Sequence, residues 1–364
     1  MKKTLKAKAI TTKGSSICYP IDQSKEFHFV DYIIPKETAE VNIETNQILN
    51  ILENSESRVE PRCEYFKTCG GCSYQHIEIN KQRELKIDLI KHTLSNHYKI
   101  EIKELIDKSK DLPDYNYRNK AKFHFQNNKL GFFKKNTKEH IPIKQCEILD
   151  ERINNLIPNF NLKKHKETFN VVEVEIKNGT ASYLLKYNNK TLNNQLNSLG
   201  HFSQNNIKAN SALIEVLKSE INSKELFEFY AGSGNLTFNL KKDNPEIKIT
   251  AIERDKVLIN KAKNTIENKK YKNLKFTHAS TEEWIKKNSF NSDILLDPPR
   301  TGAKKLINAI SKETNPNIYY VSCDIVTFGR DAKILIDKGY SLSKLYFFDM
   351  FPQTKHIEVF GIFN

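Results

Sequence analysis

The sequence predicts an α/β domain with a mainly parallel sheet in the C-terminal part of the chain, preceded by two smaller parts rich in β-strands. The chain has 364 residues, which is long for one hydrophobic core and fits two or three units. Before residue 200, short apolar runs alternate with polar residues, as in half-buried strands. After residue 200, apolar runs alternate with helical patterns, which is typical of parallel strands joined by crossover helices.

The first two parts contain strand patterns and one helical pattern. In residues 1–55, short runs such as 27–30 and 41–43 lie between turn residues and predict a small β unit. Residues 77–97 carry apolar side chains at helical spacing among many charges, so we predict one amphipathic helix there. Further strands are predicted at Ala121–Phe125, Leu130–Phe133, Val171–Ile176 and Ala181–Tyr187, with hairpin turns at Asn127-Asn128 and Asn178-Gly179.

The C-terminal part has the pattern of a parallel sheet that a hairpin closes. The predicted strands are Leu226–Tyr230, Ile249–Glu253, Leu274–Phe276, Ile294–Asp297 and Ile318–Ser322, followed by Leu345–Asp349 and Ile357–Phe363 with a turn at Phe351-Pro352. By analogy, a terminal hairpin on such a sheet is what class I methyltransferases have. We therefore expect ligands at the carboxyl ends of the parallel strands.

Composition excludes some classes of protein. The formal net charge of +14 favours a protein that contacts polyanions, although a codon bias toward lysine would raise it as well. No apolar stretch reaches the length of a membrane helix, and no apolar segment follows the charged start as in a signal peptide. We expect a cytoplasmic protein. In that compartment the six cysteines favour metal binding or catalysis over disulfides.

A glycine loop follows the first strand of the parallel sheet. It contains Gly232 and Gly234 with Asn235 after them, and lacks the longer G-x-G-x-x-G pattern of dinucleotide sites. Glu253 ends the next strand, where a carboxylate can accept hydrogen bonds from the two hydroxyls of a ribose. Together these features favour S-adenosylmethionine over NAD. A solvated strand end is the alternative for Glu253.

A stiff turn, Asp297-Pro298-Pro299-Arg300, ends the fourth strand of this sheet. Enzymes that methylate exocyclic amines use a related motif with an aromatic residue after the prolines, whereas Arg300 stands in that place here. Chemistry at an exocyclic amine is therefore disfavoured. A Pro-Pro turn without function is the alternative interpretation.

Cys323 and Glu358 are the candidate catalytic residues. Addition of a thiolate to C6 of uracil makes C5 nucleophilic enough to attack a methyl sulfonium, and Cys323 ends the fifth strand beside the presumed cofactor loops. A base must then remove the C5 proton. Glu358 is the candidate and His356 the alternative base. An inert buried cysteine and an exposed strand glutamate are the structural alternatives.

The remaining cysteines suggest a metal site. Cys63, Cys69 and Cys72 lie in one short segment, and Cys146 is a distant fourth candidate ligand. The spacing differs from the C-x3-C-x2-C pattern of radical S-adenosylmethionine enzymes. Structural zinc is the alternative to an iron–sulfur cluster, and Cys18 is expected to take no part.

Six motifs in order closely resemble the bacterial RNA uracil-5-methyltransferase family over nearly the whole chain. They are Cys63 to His76, Phe202-Ser203-Gln204-Asn205, the Gly232 loop, the Asp297 turn, Val321-Ser322-Cys323 and the segment from Asp349 to Glu358. The resemblance implies Cys323 as nucleophile and Glu358 as proton acceptor. It implies a 4Fe-4S cluster on Cys63, Cys69, Cys72 and Cys146, and cofactor or base contacts by Gln204, Tyr230, Asn235, Glu253 and Asp297. The iron–sulfur signature resembles the 23S rRNA enzymes more than the tRNA enzyme.

Three departures from the family pattern affect these expectations. Residues 1–55 resemble a shortened TRAM domain, so the RNA affinity of this module is in doubt. Ser280 stands where a side-chain amide near the adenine is expected, and its hydroxyl is the replacement contact. Asp324 follows Cys323 where a proline is often found, which predicts a looser loop.

The resemblance predicts a three-part monomer. Its parts are a small OB-like β module (1–55), a central α+β cluster-bearing, RNA-binding domain (56–76 and 107–200) and a class I (Rossmann-like) methyltransferase domain (77–106 and 201–364). The implied activity is S-adenosylmethionine-dependent methylation of C5 of a specific uridine, in 23S rRNA in preference to tRNA, with the uridine out of its stack. A tRNA m5U enzyme and a non-catalytic RNA-binding protein are the alternatives. An m5C enzyme is disfavoured because the catalytic domain lacks a second cysteine.

Overall fold

The computed structural model of the chain describes residues 1–22, 25–160, 169–177, 179–187, 190–191, 204–265 and 270–364. The strands are β1 (Lys2–Ile10), β2 (Ser16–Pro20), β3 (His28–Val30), β4 (Thr38–Asn42), β5 (Gln47–Glu53), β6 (Leu105–Asp107), β7 (Lys120–Gln126), β8 (Lys129–Phe133), β9 (His140–Pro142), β10 (Val171–Lys177), β11 (Thr180–Tyr187), β12 (Lys190–Thr191), β13 (Glu225–Phe229), β14 (Lys248–Glu253), β15 (Leu274–His278), β16 (Asp293–Leu296), β17 (Ile318–Ser322), β18 (Leu342–Phe348) and β19 (Glu358–Phe363). The α-helices are α1 (Ile79–Lys91), α2 (Glu151–Asn154), α3 (Leu156–Asn159), α4 (Ile207–Glu220), α5 (Asn235–Asp243), α6 (Lys256–Lys263), α7 (Thr281–Ile285), α8 (Lys304–Ala309) and α9 (Ile325–Asp337).

The chain forms two compact units. The first contains residues 1–86, 113–208 and 351–355, and the second contains residues 87–112, 209–350 and 356–364. Among the described residues, no helix combines the length and the apolar character that a bilayer crossing requires.

The first unit contains two antiparallel sheets. One has the strand order β3-β2-β1-β4-β5 and confirms the small β unit predicted for residues 1–55. Alternate side chains of its strands, such as Leu5, Cys18 and Val41, form its core, because successive residues of a strand point to opposite faces. Cys18 is therefore a core residue of this sheet.

The second sheet of this unit has the order β12-β11-β10-β7-β8-β9. Its four longest strands match the predicted ones within two residues at each end. Asn127 and Asn128 have φ values of 49° and 61°, as a tight hairpin turn between β7 and β8 requires. Gly179 has a φ of 79°, while its partner in the predicted turn, Asn178, lies outside the described residues.

The second unit contains an eight-stranded sheet of order β15-β14-β13-β16-β17-β19-β18-β6. Strands β13 to β17 run parallel, and β19 pairs antiparallel with both β17 and β18. The strand order reverses between β13 and β16, so the carboxyl ends of these strands border a crevice of the kind that binds ligands in open α/β sheets. This is the α/β sheet, closed by a C-terminal hairpin, that the sequence predicted.

Two elements differ from the prediction. The helix expected over residues 77–97 is α-helical only as far as Lys91, and His92–His97 form a π-helical turn. β6 was not predicted. It has three residues, too few to show a period of two, and it is stabilised by parallel pairing with β18.

Candidate active site

The loop after β13 has a backbone conformation that favours glycine. Gly232 and Gly234 have φ values of 57° and 90°. A Cβ atom on Gly234 would lie 2.6 Å from the ring of Phe238, so only glycine fits there. Tyr230, predicted as the last residue of the strand, instead follows it with a φ of 63° and begins the loop. These conformations turn the chain sharply between β13 and α5.

Glu253 supports this loop. Its Oε2 atom accepts a hydrogen bond from the backbone N–H of Gly232 at 3.0 Å, and its Oε1 atom accepts one from the N–H of Asp255 at 2.8 Å. Since both carboxylate oxygens are held by backbone groups, the side chain has a fixed direction at the end of β14. Such an orientation suits a residue that is to accept hydrogen bonds from a ligand.

Asn235 and Ser280 both lie at helix N-termini. The Asn235 amide pairs with that of Asn210, with N···O distances of 3.0 and 3.3 Å. Ser280 caps α7, because its Oγ atom accepts from the N–H of Glu283 while the Glu283 carboxylate accepts from the N–H of Ser280. The Ser280 hydroxyl thus has a structural partner, and its contact with an adenine remains a prediction.

Two acidic side chains lie where β13 and β16 end, Glu228 buried and Asp297 half-buried. Burial raises the pKa of Asp297, which follows β16, to about 7. Burial also raises the pKa of Glu228 to about 8, although its Oε2 atom accepts a hydrogen bond from the Thr237 hydroxyl at 2.6 Å. The sequence analysis did not identify Glu228. The available signal was a carboxylate inside the apolar run Leu226-Phe227-Glu228-Phe229.

The structure brings Cys323 and Glu358 together. Ser322, the last residue of β17, pairs with Val359 of β19, so the next step of this antiparallel ladder sets Cys323 opposite Glu358. Burial, and then the carboxylates of Glu358 and Asp297, raise the pKa of the Cys323 thiol to about 12, while Arg300 lowers it. Glu358 is 3 % exposed, and burial and Asp297 raise its pKa well above the usual range, again opposed by Arg300.

This arrangement combines the two predicted catalytic groups, a thiol and a carboxyl, with a cation. A buried carboxyl with a raised pKa is a stronger base when ionised than an exposed one, which suits proton abstraction. Burial favours the protonated form of the thiol, whereas the nearby Arg300 cation favours the thiolate. Asp324, which stands where a proline is often found, anchors the loop after Cys323. Its carboxylate accepts hydrogen bonds from the N–H groups of Val326 and Thr327 and caps α9, so the looser loop expected from the sequence is not seen.

The four other motif cysteines belong to the first unit. Cys63, Cys69 and Cys72 lie between β5 and α1, Cys146 lies between β9 and α2, and all four are free thiols. Burial and, to a smaller extent, the other three sulfurs raise the pKa of Cys72 to about 12, while a hydrogen bond with Gln75 lowers it, so the four sulfurs share one neighbourhood. In the described ranges, no group of three or more His, Cys, Asp or Glu side chains is arranged to hold a metal ion.

Gln204 is the remaining predicted cofactor contact. It is half-buried, precedes α4 and belongs to the first unit. Phe202 and Ser203 of the same motif lie outside the described residues. The contact of Gln204 with a cofactor therefore remains a prediction.

The chain is similar to known RNA methyltransferases. The family model described as tRNA (Uracil-5-)-methyltransferase matches residues 170–363. An uncharacterized RNA methyltransferase of Treponema denticola is 31 % identical over 92 % of this chain and 93 % of its own length. The 23S rRNA (uracil(1939)-C(5))-methyltransferase RlmD of Histophilus somni is 28 % identical over 92 % of this chain and 90 % of its own.

A solved structure supports the fold. The tRNA (uracil-54, C5)-methyltransferase of Pyrococcus abyssi, in complex with S-adenosyl-L-homocysteine, superposes with a TM-score of 0.73 and covers 100 % of both chains at 18 % identity. The family match includes Cys323, Glu358 and the glycine loop. From the site, the fold and the family match together, the chain belongs to the tRNA (uracil-5-)-methyltransferase family and is an RNA (uracil-5-)-methyltransferase.

Proposed function

We propose that this chain transfers a methyl group from S-adenosylmethionine to C5 of one uridine in 23S rRNA, with Cys323 as nucleophile and Glu358 as base. The observation that carries the proposal is the juxtaposition of Cys323 and Glu358 where β17 and β19 pair. The relative from Histophilus somni, whose name specifies 23S rRNA, supports the choice of RNA. The residues proposed to contact the cofactor lie in the glycine loop or in neighbouring motifs, and they are Gln204, Tyr230, Asn235, Glu253, Ser280 and Asp297.

The proposed reaction uses the two groups in sequence. The Cys323 thiolate adds to C6 of the uracil, and the electron pair of the C5–C6 double bond moves to O4 as an enolate. When bound, S-adenosylmethionine would supply the methyl group: the enolate pair would form the bond from C5 to the methyl carbon, and the electron pair of the broken S–CH3 bond would remain on the sulfur of the thioether product. Glu358 removes the C5 proton, the C5–C6 double bond forms again, and the Cys323 thiolate leaves with the electron pair of the C–S bond.

The electrostatic coupling of the two groups fits this order. An ionised Glu358 raises the pKa of Cys323, so two negative charges at once are unfavourable. Formation of the C–S bond consumes the thiolate charge and removes that repulsion, so Glu358 can be a carboxylate when the C5 proton must leave. Arg300 opposes the pKa increase of both groups and stabilises the charge at either stage.

The first unit is proposed to hold the RNA and a cluster. We assign residues 1–55 to an OB-like module, residues 56–76 and 107–200 to a central RNA-binding domain, and residues 77–106 and 201–364 to the catalytic domain of a cytoplasmic monomer. Four thiolates are the ligand set that a 4Fe-4S cluster takes, and the influence of three sulfurs on the pKa of Cys72 supports this assignment, although in the described residues the side chains are not arranged around a metal position. Bound there, Cys63, Cys69, Cys72 and Cys146 would tie the segment before α1 to the segment before α2.

The catalytic assignment is tested with two variants. Cys323→Ala should abolish methylation and leave S-adenosylmethionine binding intact, because the thiol acts on the base. Glu358→Gln should accumulate a covalent protein–RNA adduct on ordinary uridine, since methyl transfer precedes deprotonation. Adducts are measured as protein–RNA bands that resist denaturation. The matched control is Glu225→Gln, which replaces a carboxylate at the start of β13. Absence of an adduct both in Glu358→Gln and in wild type with 5-fluorouridine RNA would refute the mechanism.

A tRNA substrate is the second candidate, because the family model and the Pyrococcus abyssi enzyme are both described by tRNA. Methylation of 23S rRNA fragments and tRNA transcripts should be compared at the same salt concentration, with the product position read by mass spectrometry. The 23S proposal expects one defined uridine in the rRNA fragment and little product in tRNA. Equal turnover on both would contradict it.

A further inference from the structure

Asp331 is a buried acid on α9 that the mechanism does not use. It is 0 % exposed. Its Oδ2 atom accepts hydrogen bonds from the backbone N–H of Ala303 at 2.7 Å and from the Tyr320 hydroxyl at 2.8 Å. Its Oδ1 atom accepts from Nε of Arg330 at 2.9 Å and forms an ion pair with the same guanidinium. A buried carboxylate with this number of donors is fixed in position.

These bonds connect two catalytic segments. Tyr320 lies on β17, three residues before Cys323. Ala303 ends the loop that begins with Asp297 and contains Arg300. Asp331 thus joins the strand that carries the nucleophile to the loop that carries the cation.

Neighbouring groups of α9 hold the same loop. Arg330 donates to the carbonyl of Thr301 at 2.9 Å, and the Thr327 hydroxyl donates to the carbonyl of Arg300 at 3.1 Å. Gly302 has a φ of 74°, and a Cβ atom there would lie 2.5 Å from Arg330 and 2.6 Å from Asp331. The loop therefore lies directly on these two side chains and leaves no space for a larger residue.

We propose that Asp331 is a positioning residue of the methyltransferase, which acts by holding Arg300 near Cys323 and Glu358. The inference rests on the proposed roles of Cys323 and Glu358. The groups that influence the charge of the thiol are Glu358, Asp297, Asp324 and Arg300, and Arg300 is the cation among them. A small displacement of its loop would weaken the stabilisation of the thiolate, since a shift of about 1 Å in a catalytic group can cost about 100-fold in rate.

The test measures the reactivity of Cys323 separately from turnover. Asp331→Asn should slow adduct formation with 5-fluorouridine RNA by about 10- to 100-fold. It should also move the pH profile of Cys323 alkylation by iodoacetamide, followed on its peptide by mass spectrometry, to higher pH. Tyr320→Phe should change both measurements in the same direction by a smaller factor, and it decides the matter if Asp331→Asn does not fold. Asp337→Asn, an exposed acid of the same helix, is the control and should match wild type.

A double-mutant comparison separates positioning from general destabilisation. If Asp331 acts through Arg300, the variant Arg300→Ala with Asp331→Asn should form the adduct no more slowly than Arg300→Ala alone. Additive losses, or an unchanged alkylation profile in both Asp331→Asn and Tyr320→Phe, would overturn the proposal. Failure of the underlying function is distinct, because wild type would then form no adduct at all.

Discussion

The side chain of Gln82 binds Gln353, 271 residues later in the chain, through two hydrogen bonds. The Gln353 N–H donates to Oε1 of Gln82 at 3.0 Å, and Nε2 of Gln82 donates to Oε1 of Gln353 at 2.9 Å. The Gln353 carbonyl in turn accepts from the N–H groups of Ser73 and Tyr74, directly after Cys72. Within the first unit, the segment 351–355 is thereby fixed to the segment that follows Cys72. The segment 351–355 directly precedes His356 and Glu358 in the chain.

Replacing Gln82 by Leu should destabilise the first unit. Gln82 is 0 % exposed, and its replacement leaves the N–H of Gln353 without its acceptor, which costs about 1–3 kcal/mol. The measurement is denaturant unfolding at constant pH. The control is Gln145→Leu, which removes an exposed side chain that donates to Glu147, and it should stay close to wild type. Equal midpoints for Gln82→Leu and wild type would show that these bonds contribute nothing.

Glu228→Gln should change how stability depends on pH. The folded-state pKa of Glu228, about 8, lies above the ordinary glutamate value of 4.5, so the folded protein binds this proton more tightly than the unfolded chain does. The stabilisation that protonated Glu228 gives the folded state is complete below the pKa of the unfolded chain and is lost as the pH rises through the pKa of the folded protein.

Wild type should therefore lose stability relative to Glu228→Gln between about pH 5 and pH 8, by a few kcal/mol, since each pKa unit corresponds to about 1.4 kcal/mol. Unfolding free energies measured at several pH values provide the comparison. Glu225→Gln, on the same strand but partly exposed, should keep the wild-type slope. Parallel pH profiles for wild type and Glu228→Gln would contradict the raised pKa.

The cysteine site should contain iron. Protein purified without oxygen should be brown, with iron and acid-labile sulfide in equal amounts, because thiolate ligation to iron gives broad absorption near the visible–ultraviolet border. Cys72→Ala should lose the iron, whereas Cys18→Ala, in the core of the β module, should retain it. Zinc at one ion per chain with no iron would disprove the cluster.

RNA affinity should fall steeply with salt, and the responsible cations should lie outside the β module. Residues 1–55 contain seven Lys, no Arg and seven Asp or Glu, so the net charge of +14 belongs to the rest of the chain. Lys2 is already paired with Glu40. Replacing Lys122 and Lys129, exposed on the second sheet, by Ala should lower the slope of log affinity against log salt by about 0.7–0.9 for each phosphate that these lysines neutralise.

The matched control for this measurement is Lys2→Ala, which should leave the slope unchanged. Filter binding over a salt series with one rRNA fragment provides the slopes. Binding that does not depend on salt would show that the lysine content is compositional. If the slope decreased only in Lys2→Ala, the phosphate-binding lysines would lie in the β module instead.

The sequence alone determined the local features of this protein. The continuous apolar runs after residue 200 predicted the parallel strands, because a strand that is buried on both faces needs such a run wherever it is placed. The motifs likewise identified Cys323 and Glu358 as candidates, since uracil methylation at C5 requires a thiol and a base. These inferences depend on residue type and short-range spacing, which the chain carries without folding.

Only the tertiary structure decided which groups share an environment. The opposition of Cys323 and Glu358 depends on the pairing of β17 with β19, and the high pKa of Glu228 depends on its burial. The bonds of Gln82 to Gln353 and of Asp331 to Ala303 join segments far apart in sequence. Burial and long-range hydrogen bonds are properties of the packed chain, because they arise when distant segments exclude water from the same space.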